Sequence, residues 1–148
     1  MSLLSVLRLL FNKKATLSPL EKEILDCVRN RLDTRAVTKW DAQVRSINKV
    51  QRLPDGVEVD FYRMKEGQVT SDPELAFPNR TEELRLATAS IRLNSHQVTA
   101  SIWCVKGFLF SIEFEGSIKY FEEAVAMEPA PKLHIDCHLN ADPMSASA

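Results

Sequence analysis

Residues 84–114, LRLATASIRLNSHQVTASIWCVKGFLFSIEF, decide the fold of this chain. Apolar and polar residues alternate along three runs, and a period of two is typical of strands that bury one side. Asn94-Ser95 and Lys106-Gly107 separate the runs, and residues of these types are typical of tight turns between neighbouring strands. The stretch therefore predicts three consecutive antiparallel strands joined by short turns.

The phase of the apolar residues indicates which side of each strand is buried. In the first run the phase slips between Leu86 and Ala89, which predicts a β-bulge near Ala87-Thr88. In the other two runs the phase is constant. The buried side predicted for them carries Val98, Ala100, Ile102, Cys104, Phe108, Phe110, Ile112 and Phe114.

Further strands are predicted on both sides of this stretch. Residues 53–57, LPDGV, are typical of a hairpin turn, and the residues that follow alternate between apolar and polar. Residues 132–139 alternate in the same way and predict a last strand. Between these elements we expect a long loop over residues 67–80 and a short helix over residues 118–126.

Two helices are predicted ahead of the sheet. Ser18-Pro19-Leu20-Glu21 is typical of a capping box with proline at the first helical position. Asp33-Thr34 suits the start of a second helix. Residues 35–53 are ambiguous, because an apolar stripe at helical spacing leads directly into a hairpin turn. We expect a helix to about Gln43 and then a strand from about Arg45 to Leu53.

The order of these elements predicts an α+β fold, with N-terminal helices packed on a five- or six-stranded antiparallel sheet made of a hairpin and a meander. Residues 1–139 are expected to form a single domain, since 148 residues are an ordinary domain length and no repeat or long linker divides the chain. The small, polar tail at residues 140–148 is expected to be disordered.

A short apolar helix is predicted at residues 2–12, near the start of MSLLSVLRLLFNKK. It is too short to span a bilayer, which takes about 20 apolar residues, and its basic residues follow the apolar run rather than precede it as in a signal peptide. Four interpretations stay open. The helix packs on its own domain or on a second copy, docks on a partner, lies on a membrane surface with Lys13 and Lys14 beside acidic headgroups, or is a frayed terminus.

Composition and charge exclude several classes of protein. Hydrophobic residues make up 45% of the chain and charged residues 26%, a globular balance that excludes a disordered or fibrous chain. The net charge of −1 gives no basis for nucleic-acid binding. The four glycines lie too far apart for a Rossmann or P-loop phosphate site, so no cofactor is expected. Cys27, Cys104 and Cys137 form no close pair in the sequence, which favours reduced thiols and a cytoplasmic location.

The candidate metal ligands are His134, Asp136 and His138. On a strand, side chains two residues apart lie roughly 6.6–7 Å apart at the backbone, close enough for two ligands of one ion. His134 with Asp136, or Asp136 with His138, therefore suits half of a site, whereas all three are too widely spread. A solvent-exposed strand face is the alternative interpretation.

Two candidate catalytic pairs have weaker support. Cys104 and His96 are the residue types of a nucleophilic pair, but the strand phase places Cys104 on the buried side, where a thiolate is disfavoured. Glu113 and Glu115 share one side of a strand and suit acid–base chemistry only if burial raises the pKa of one of them. The sequence therefore predicts no catalytic residue.

The candidate partner surface carries large apolar residues on the predicted exposed sides of the strands: Tyr62, Met64, Trp103, Val105 and Leu109. An open antiparallel sheet normally keeps such residues on its buried side, so they indicate a covered face or a binding face. Arg45, Lys49 and Arg52 add a basic flank, from a segment, residues 29–52, with seven basic and two acidic residues. Residues 107–128 are acidic, and the two regions either neutralise each other or orient a partner.

These observations favour a small non-enzymatic protein that acts by protein–protein binding, with itself or with a partner, as an adaptor or an immunity-type protein does. One alternative is a ligand-binding or enzymatic domain with a pocket between helix and sheet, whose mouth carries Tyr62, Arg63, His96 and His134. The other is a peripheral membrane protein tethered by residues 1–14. Nucleic acid is not expected as a partner.

Overall fold

Both predicted N-terminal helices are present and begin at the predicted caps. A computed structural model describes residues 16–146, in which α1 spans Pro19–Arg29 and α2 spans Thr34–Ser46. The Ser18 hydroxyl accepts a hydrogen bond from the Glu21 N–H at 3.1 Å, and the Ser18 N–H donates to the Glu21 carboxylate at 2.8 Å. This reciprocal pair is the capping box that the sequence predicts.

The boundary between α2 and the first strand differs from the prediction. The helix continues past Gln43 to Ser46, and β1 covers only Lys49–Arg52. The helix is longer because Val44 and Ile47 both pack against the core. Residues three apart lie on the same side of a helix but on opposite sides of a strand, so a helix that reaches Ser46 allows both to face the core.

The strands of the main sheet after β1 are β2 (Glu58–Tyr62), β5 (Leu84–Leu93), β6 (His96–Val105), β7 (Phe108–Phe114) and β8 (His134–Leu139). In the described part of the chain, the sheet thus has six strands, all antiparallel to their neighbours, in the order β1-β2-β7-β6-β5-β8. The predicted hairpin and meander are therefore confirmed, and the fold is α+β.

The segments between these strands add smaller elements. The predicted loop at residues 67–80 contains β4 (Gln68–Val69), which pairs with β3 (Met64–Lys65) in a separate ribbon, and a 3₁₀ turn at Pro73–Leu75. The predicted helix before the last strand is α3, Lys119–Val125.

Two register shifts decide which side chains reach the core. The shift in β5 lies between Arg85 and Ala87, next to the predicted bulge. A second shift, at Trp103/Cys104 between β6 and β7, is not predicted. It turns Leu109 into the core, where its exposed fraction is 0%, so the prediction that Leu109 lies on the exposed side is wrong. Phe110, predicted to be buried, is half-exposed instead.

Side chains from outside the sheet bond the backbone next to this second shift. The Leu109 N–H donates to Gln43 Oε1 at 2.8 Å, and the Leu109 carbonyl accepts from the Arg63 guanidinium at 2.9 Å. Gln43 Nε2 also donates to the carbonyls of Leu75 and Gly107. Gln43 and Arg63 thus fasten α2 to the β6–β7 turn.

The helices pack on one side of the sheet, and the core lies between the two layers. It includes Ile24, Val28 and Trp40 from the helices and Phe61, Ile102 and Ile112 from the strands. The opposite side of the sheet is called the open face below. Within residues 16–146, none of the three helices packs on it, and none is long and apolar enough to cross a membrane.

The structure describes most of the C-terminal tail, but it does not describe the N-terminal segment. Residues 140–146 are held in place where disorder was expected: the Asn79 N–H donates to the Pro143 carbonyl at 3.0 Å, and the Asn140 N–H donates to Leu86. The tail thus forms backbone hydrogen bonds with β5 and with the segment before it. A sequence of small polar residues gives no sign of such bonds. The helix predicted at residues 2–12 lies outside the described residues.

Candidate binding face

A cleft of about 270 Å³ lies on the open face, where β2, β7 and β6 run side by side. Trp103, Val105 and Phe110 give it an apolar floor. Three carboxylates, those of Glu58, Glu83 and Glu113, also line it, and among residues 16–146 no lysine or arginine does. We call this feature the acidic cleft.

The carboxylates are arranged by strand pairing. Glu58 on β2 lies directly opposite Glu113 on β7, and Asp60, two residues further, lies opposite Ser111. Burial, a hydrogen bond to Asp60 and the charges of Asp60 and Asp55 raise the pKa of Glu58. Asp60 is only 8% exposed, and within residues 16–146 its Oδ1 atom has no hydrogen-bond partner. The cleft thus concentrates negative charge, with no cation among the lining residues that the structure describes.

An aromatic pair stands beside the cleft. The rings of Tyr62 and Phe110 meet edge to face with centroids 5.6 Å apart, an arrangement that stabilises aromatic contacts. Burial, and the charges of Asp60 and Glu58, raise the pKa of Tyr62. The Lys49 ammonium lies 5.7 Å from the centre of the Tyr62 ring. Tyr62 therefore presents a neutral hydroxyl and an apolar ring to the open face.

A second cavity, of about 350 Å³, adjoins the acidic cleft, because Val105 and Phe110 line both. It continues toward the β3–β4 ribbon, where Val69 is 65% exposed. Arg63, Arg80 and Lys106 line this cavity, and no carboxylate of the described residues does. We call it the basic cavity. The two features together form one apolar groove with opposite charges at its two ends.

The structure brings together part of the predicted partner surface. Tyr62, Trp103 and Val105 lie in the groove, and Lys49 stands over Tyr62. Met64 lies in the separate β3–β4 ribbon, and Leu109 is in the core.

The other two basic residues of that prediction lie elsewhere. Arg45 is exposed on α2, which packs on the other side of the sheet. Arg52 lies opposite the buried Val59 and forms two hydrogen bonds to the Glu21 carboxylate, at 2.7 and 3.0 Å. Because Glu21 is only 2% exposed, Arg52 neutralises an internal charge. It is not on the surface that contains Tyr62 and Trp103.

Sequence reasoning missed Phe110, Glu58, Asp60 and Glu83. Phe110 follows the alternation of β7, so only the register shift reveals its position. Glu58 and Asp60 alternate with apolar residues as ordinary exposed strand residues do. They form part of a site because the pairing of β2 with β7 places Glu58 opposite Glu113. The sequence alone does not show which strands pair.

The predicted metal ligands lie on edge strand β8. His134 Nε2 and Asp136 Oδ2 are 3.1 Å apart, but the Arg92 guanidinium also lies 3.4 Å from that oxygen. His138 Nε2 lies 3.3 Å from the side-chain nitrogen of Asn140. In the described part of the chain, no three histidine, cysteine, aspartate or glutamate side chains are grouped as a metal site requires.

The two candidate catalytic pairs, which the sequence already disfavours, are not assembled. Burial raises the pKa of Cys104 to about 12, whereas His96 stacks on Tyr120 at the other end of β6, with ring centroids 3.6 Å apart. Glu115 lies beyond the end of β7, so Glu58 rather than Glu115 faces Glu113. Arg63, expected at a pocket mouth, is buried and donates to Leu109, Gln43 and Ser46. Its desolvation lowers its pKa to about 10.

The raised pKa of Glu58 predicts a pH-dependent stability. A carboxyl group whose pKa is higher in the fold than in the unfolded chain stabilises the fold fully below its unfolded pKa, and this contribution is lost as the pH rises through the folded pKa. We therefore expect Glu58→Gln to melt ~2 °C above the native protein at about pH 7 and to lose this advantage at about pH 4. Melting temperatures measured across this range test the expectation.

The control is Glu74→Gln, which removes an exposed carboxylate from the 3₁₀ turn. Its melting temperature is expected to follow that of the native protein at every pH. A difference between Glu58→Gln and the native protein that does not change with pH would contradict the assigned cause.

Comparison of the chain with protein-family models, with curated proteins and with solved structures finds no match.

Proposed function

We propose that this protein is a non-catalytic protein-binding module that works as a homodimer, with two copies meeting through the groove on the open face. The observation that carries the proposal is the pairing of charges along that groove. An acidic cleft and a basic cavity lie at its two ends, joined by an apolar floor that both share.

This arrangement is complementary to itself. In a dimer with two-fold symmetry the same patch serves both copies, so that residue i contacts residue j and the reverse. A two-fold axis near Val105 and Phe110 places the acidic cleft of one copy against the basic cavity of its partner, twice. Glu113 and Lys106 are exposed representatives of the two ends. Complementary charges of this kind fix the orientation of two partners and exclude others.

The floor supplies the apolar contact. Trp103, Val105, Phe110 and Tyr62 are half-exposed in the single chain, although an antiparallel sheet with a solvated face normally carries polar residues there. Aromatic residues near the centre of an interface contribute most of its binding energy. Covering these residues by a second sheet removes apolar surface from water.

The first experiment measures mass against concentration for the full-length chain, by light scattering and analytical ultracentrifugation. We expect a reversible dimer. Trp103→Ala is expected to raise the dimer dissociation constant about 30-fold. The matched control is Met127→Ala, which removes an apolar side chain that is 60% exposed and does not line the groove, and it is expected to leave the constant unchanged.

A charge swap tests the proposed orientation. Lys106→Glu and Glu113→Lys are each expected to weaken self-association, since each places like charges opposite one another in both halves of the interface. An equimolar mixture of the two variants is expected to recover it, because every contact in the mixed dimer then joins opposite charges. Added salt should weaken the native dimer and the mixed dimer alike.

A chain that stays monomeric at every concentration overturns the proposal. So does dimerisation that appears only after residues 1–14 are removed, because that segment would then be the occupant of the groove. A dimer that Trp103→Ala does not weaken overturns it too, because the interface would then lie elsewhere.

A further inference from the structure

Two cysteines that are far apart in the sequence meet in the fold. Cys27 on α1 and Cys137 on β8 are separated by 110 residues, and their Sγ atoms lie 2.9 Å apart. This is closer than ordinary van der Waals contact between two sulfur atoms, and a disulfide bond is about 2.05 Å long. Cys104, the third cysteine, is buried in the core under the helices. The absence of a close pair in the sequence is therefore misleading.

The surroundings of the pair give the two thiols different roles. Cys27 is half-exposed, so a small oxidant in solvent reaches it, whereas Cys137 is buried behind it. Cys27 Sγ also lies 3.7 Å from the Ile135 carbonyl, which fixes the side chain against β8. Burial, and then the Cys27 thiol, raise the pKa of Cys137 to about 12, while the Arg31 guanidinium acts in the opposite direction. The net effect is a raised pKa, so the buried Cys137 is the thiol that reacts second, with the half-exposed Cys27 in contact in front of it.

We infer that Cys27 and Cys137 form a reversible disulfide bond when the protein meets a peroxide, and that the bond links α1 to β8. In the first step the Cys27 sulfur attacks one oxygen of hydrogen peroxide, the O–O bond breaks, and a sulfenic acid forms. The leaving hydroxide takes the proton of the Cys27 thiol and departs as water.

In the second step the Cys137 sulfur attacks Cys27 Sγ. The S–S bond forms, the S–O bond breaks, and the released hydroxide takes the proton of the Cys137 thiol as a second water. The two sulfurs together lose two electrons, and the peroxide gains them. A dithiol reductant reverses the reaction. No large movement is needed, since the two sulfurs are already in contact.

The bond closes a loop that includes most of the fold, because 110 residues separate its ends. A cross-link over a loop of this length restricts the unfolded chain strongly. We expect oxidation of the native protein to raise its melting temperature by ~10 °C, and reduction to return it to its first value.

The test treats the full-length protein with hydrogen peroxide, blocks remaining thiols by alkylation, and maps the peptides by mass spectrometry. We expect one intramolecular link between Cys27 and Cys137, with Cys104 alkylated only after denaturation. Cys104→Ser is the matched control and should form the same link. Cys27→Ser and Cys27→Ala should form none and should show no rise in melting temperature. Because Cys27 is half-exposed, both variants are expected to fold, and circular dichroism checks this.

Three results overturn the inference: all three thiols remaining free after peroxide, Cys27 oxidised to a sulfinic acid while Cys137 stays free, or a link only between chains. The groove on the open face contains neither cysteine. Dimerisation and disulfide formation are therefore measured independently, and each proposal can fail without the other.

Discussion

Replacement of Gln43 by leucine is expected to lower the free energy of unfolding by about 4 kcal/mol. Gln43 is fully buried, and its side chain takes part in three hydrogen bonds, to the carbonyls of Leu75 and Gly107 and from the Leu109 N–H, at 2.7–2.9 Å. Leucine has a similar size but bonds none of these groups. Each buried backbone group left without a partner costs about 1–3 kcal/mol.

Urea unfolding followed by tryptophan fluorescence measures this effect, since Trp40 is buried in the native core. Gln97→Leu is the matched control. Gln97 is exposed on β6, and among residues 16–146 its side chain bonds only the Ser90 hydroxyl, so a change within about 0.5 kcal/mol is expected. A loss below about 1 kcal/mol for Gln43→Leu would mean that the hydrogen bonds of Gln43 contribute little to stability.

Gly107→Ala is expected to cost about 3 kcal/mol. Gly107 has φ +89°, which L side chains rarely adopt, and it follows Lys106, which also has a positive φ. A Cβ atom on Gly107 would lie 2.8 Å from the Phe77 carbonyl oxygen and 2.8 Å from Cδ of Arg80. The Phe77 contact is to backbone, so strain and steric overlap both oppose the substitution.

Gly56→Ala separates these two causes. Gly56 has φ +73°, but a Cβ atom there would meet nothing within 4 Å. Gly56→Ala is therefore expected to lose only the free energy that backbone strain costs, about 1 kcal/mol. Melting and urea unfolding of both variants give the difference. Equal losses for the two glycines would mean that the close approach of Phe77 and Arg80 contributes nothing.

Most of the fold was predictable because its signals are local. The capping box at Ser18, the Asp33 cap and the turns at residues 53–57 and 106–107 each depend on a few neighbouring residues. The alternation of residues 84–114 reports burial on one side of a sheet. Such patterns do not depend on contacts with distant parts of the chain. The two helices at residues 18–46, the hairpin and the meander could therefore all be predicted.

What could not be predicted depends on contacts between distant residues. The register shift at Trp103/Cys104 is accompanied by hydrogen bonds from Gln43 and Arg63, and neither lies near it in the sequence. It exchanges the positions expected for Leu109 and Phe110. The Cys27–Cys137 contact is hidden for the same reason.

Only part of the candidate site could be predicted from the sequence. Tyr62, Trp103 and Val105 could be identified because they are large apolar residues at strand positions where the alternation predicts polar ones. Glu58 looked ordinary, because its partner Glu113 lies on a strand more than fifty residues away.

One helix contacts both edge strands of the sheet. Glu21 of α1 accepts hydrogen bonds from Arg52 on β1, the first strand in the order, and Cys27 of the same helix contacts Cys137 on β8, the last. Local unfolding of α1 would release both contacts together, since both depend on this one helix. Hydrogen exchange at the two opposite edges, β1 and β8, is therefore expected to follow the opening of α1.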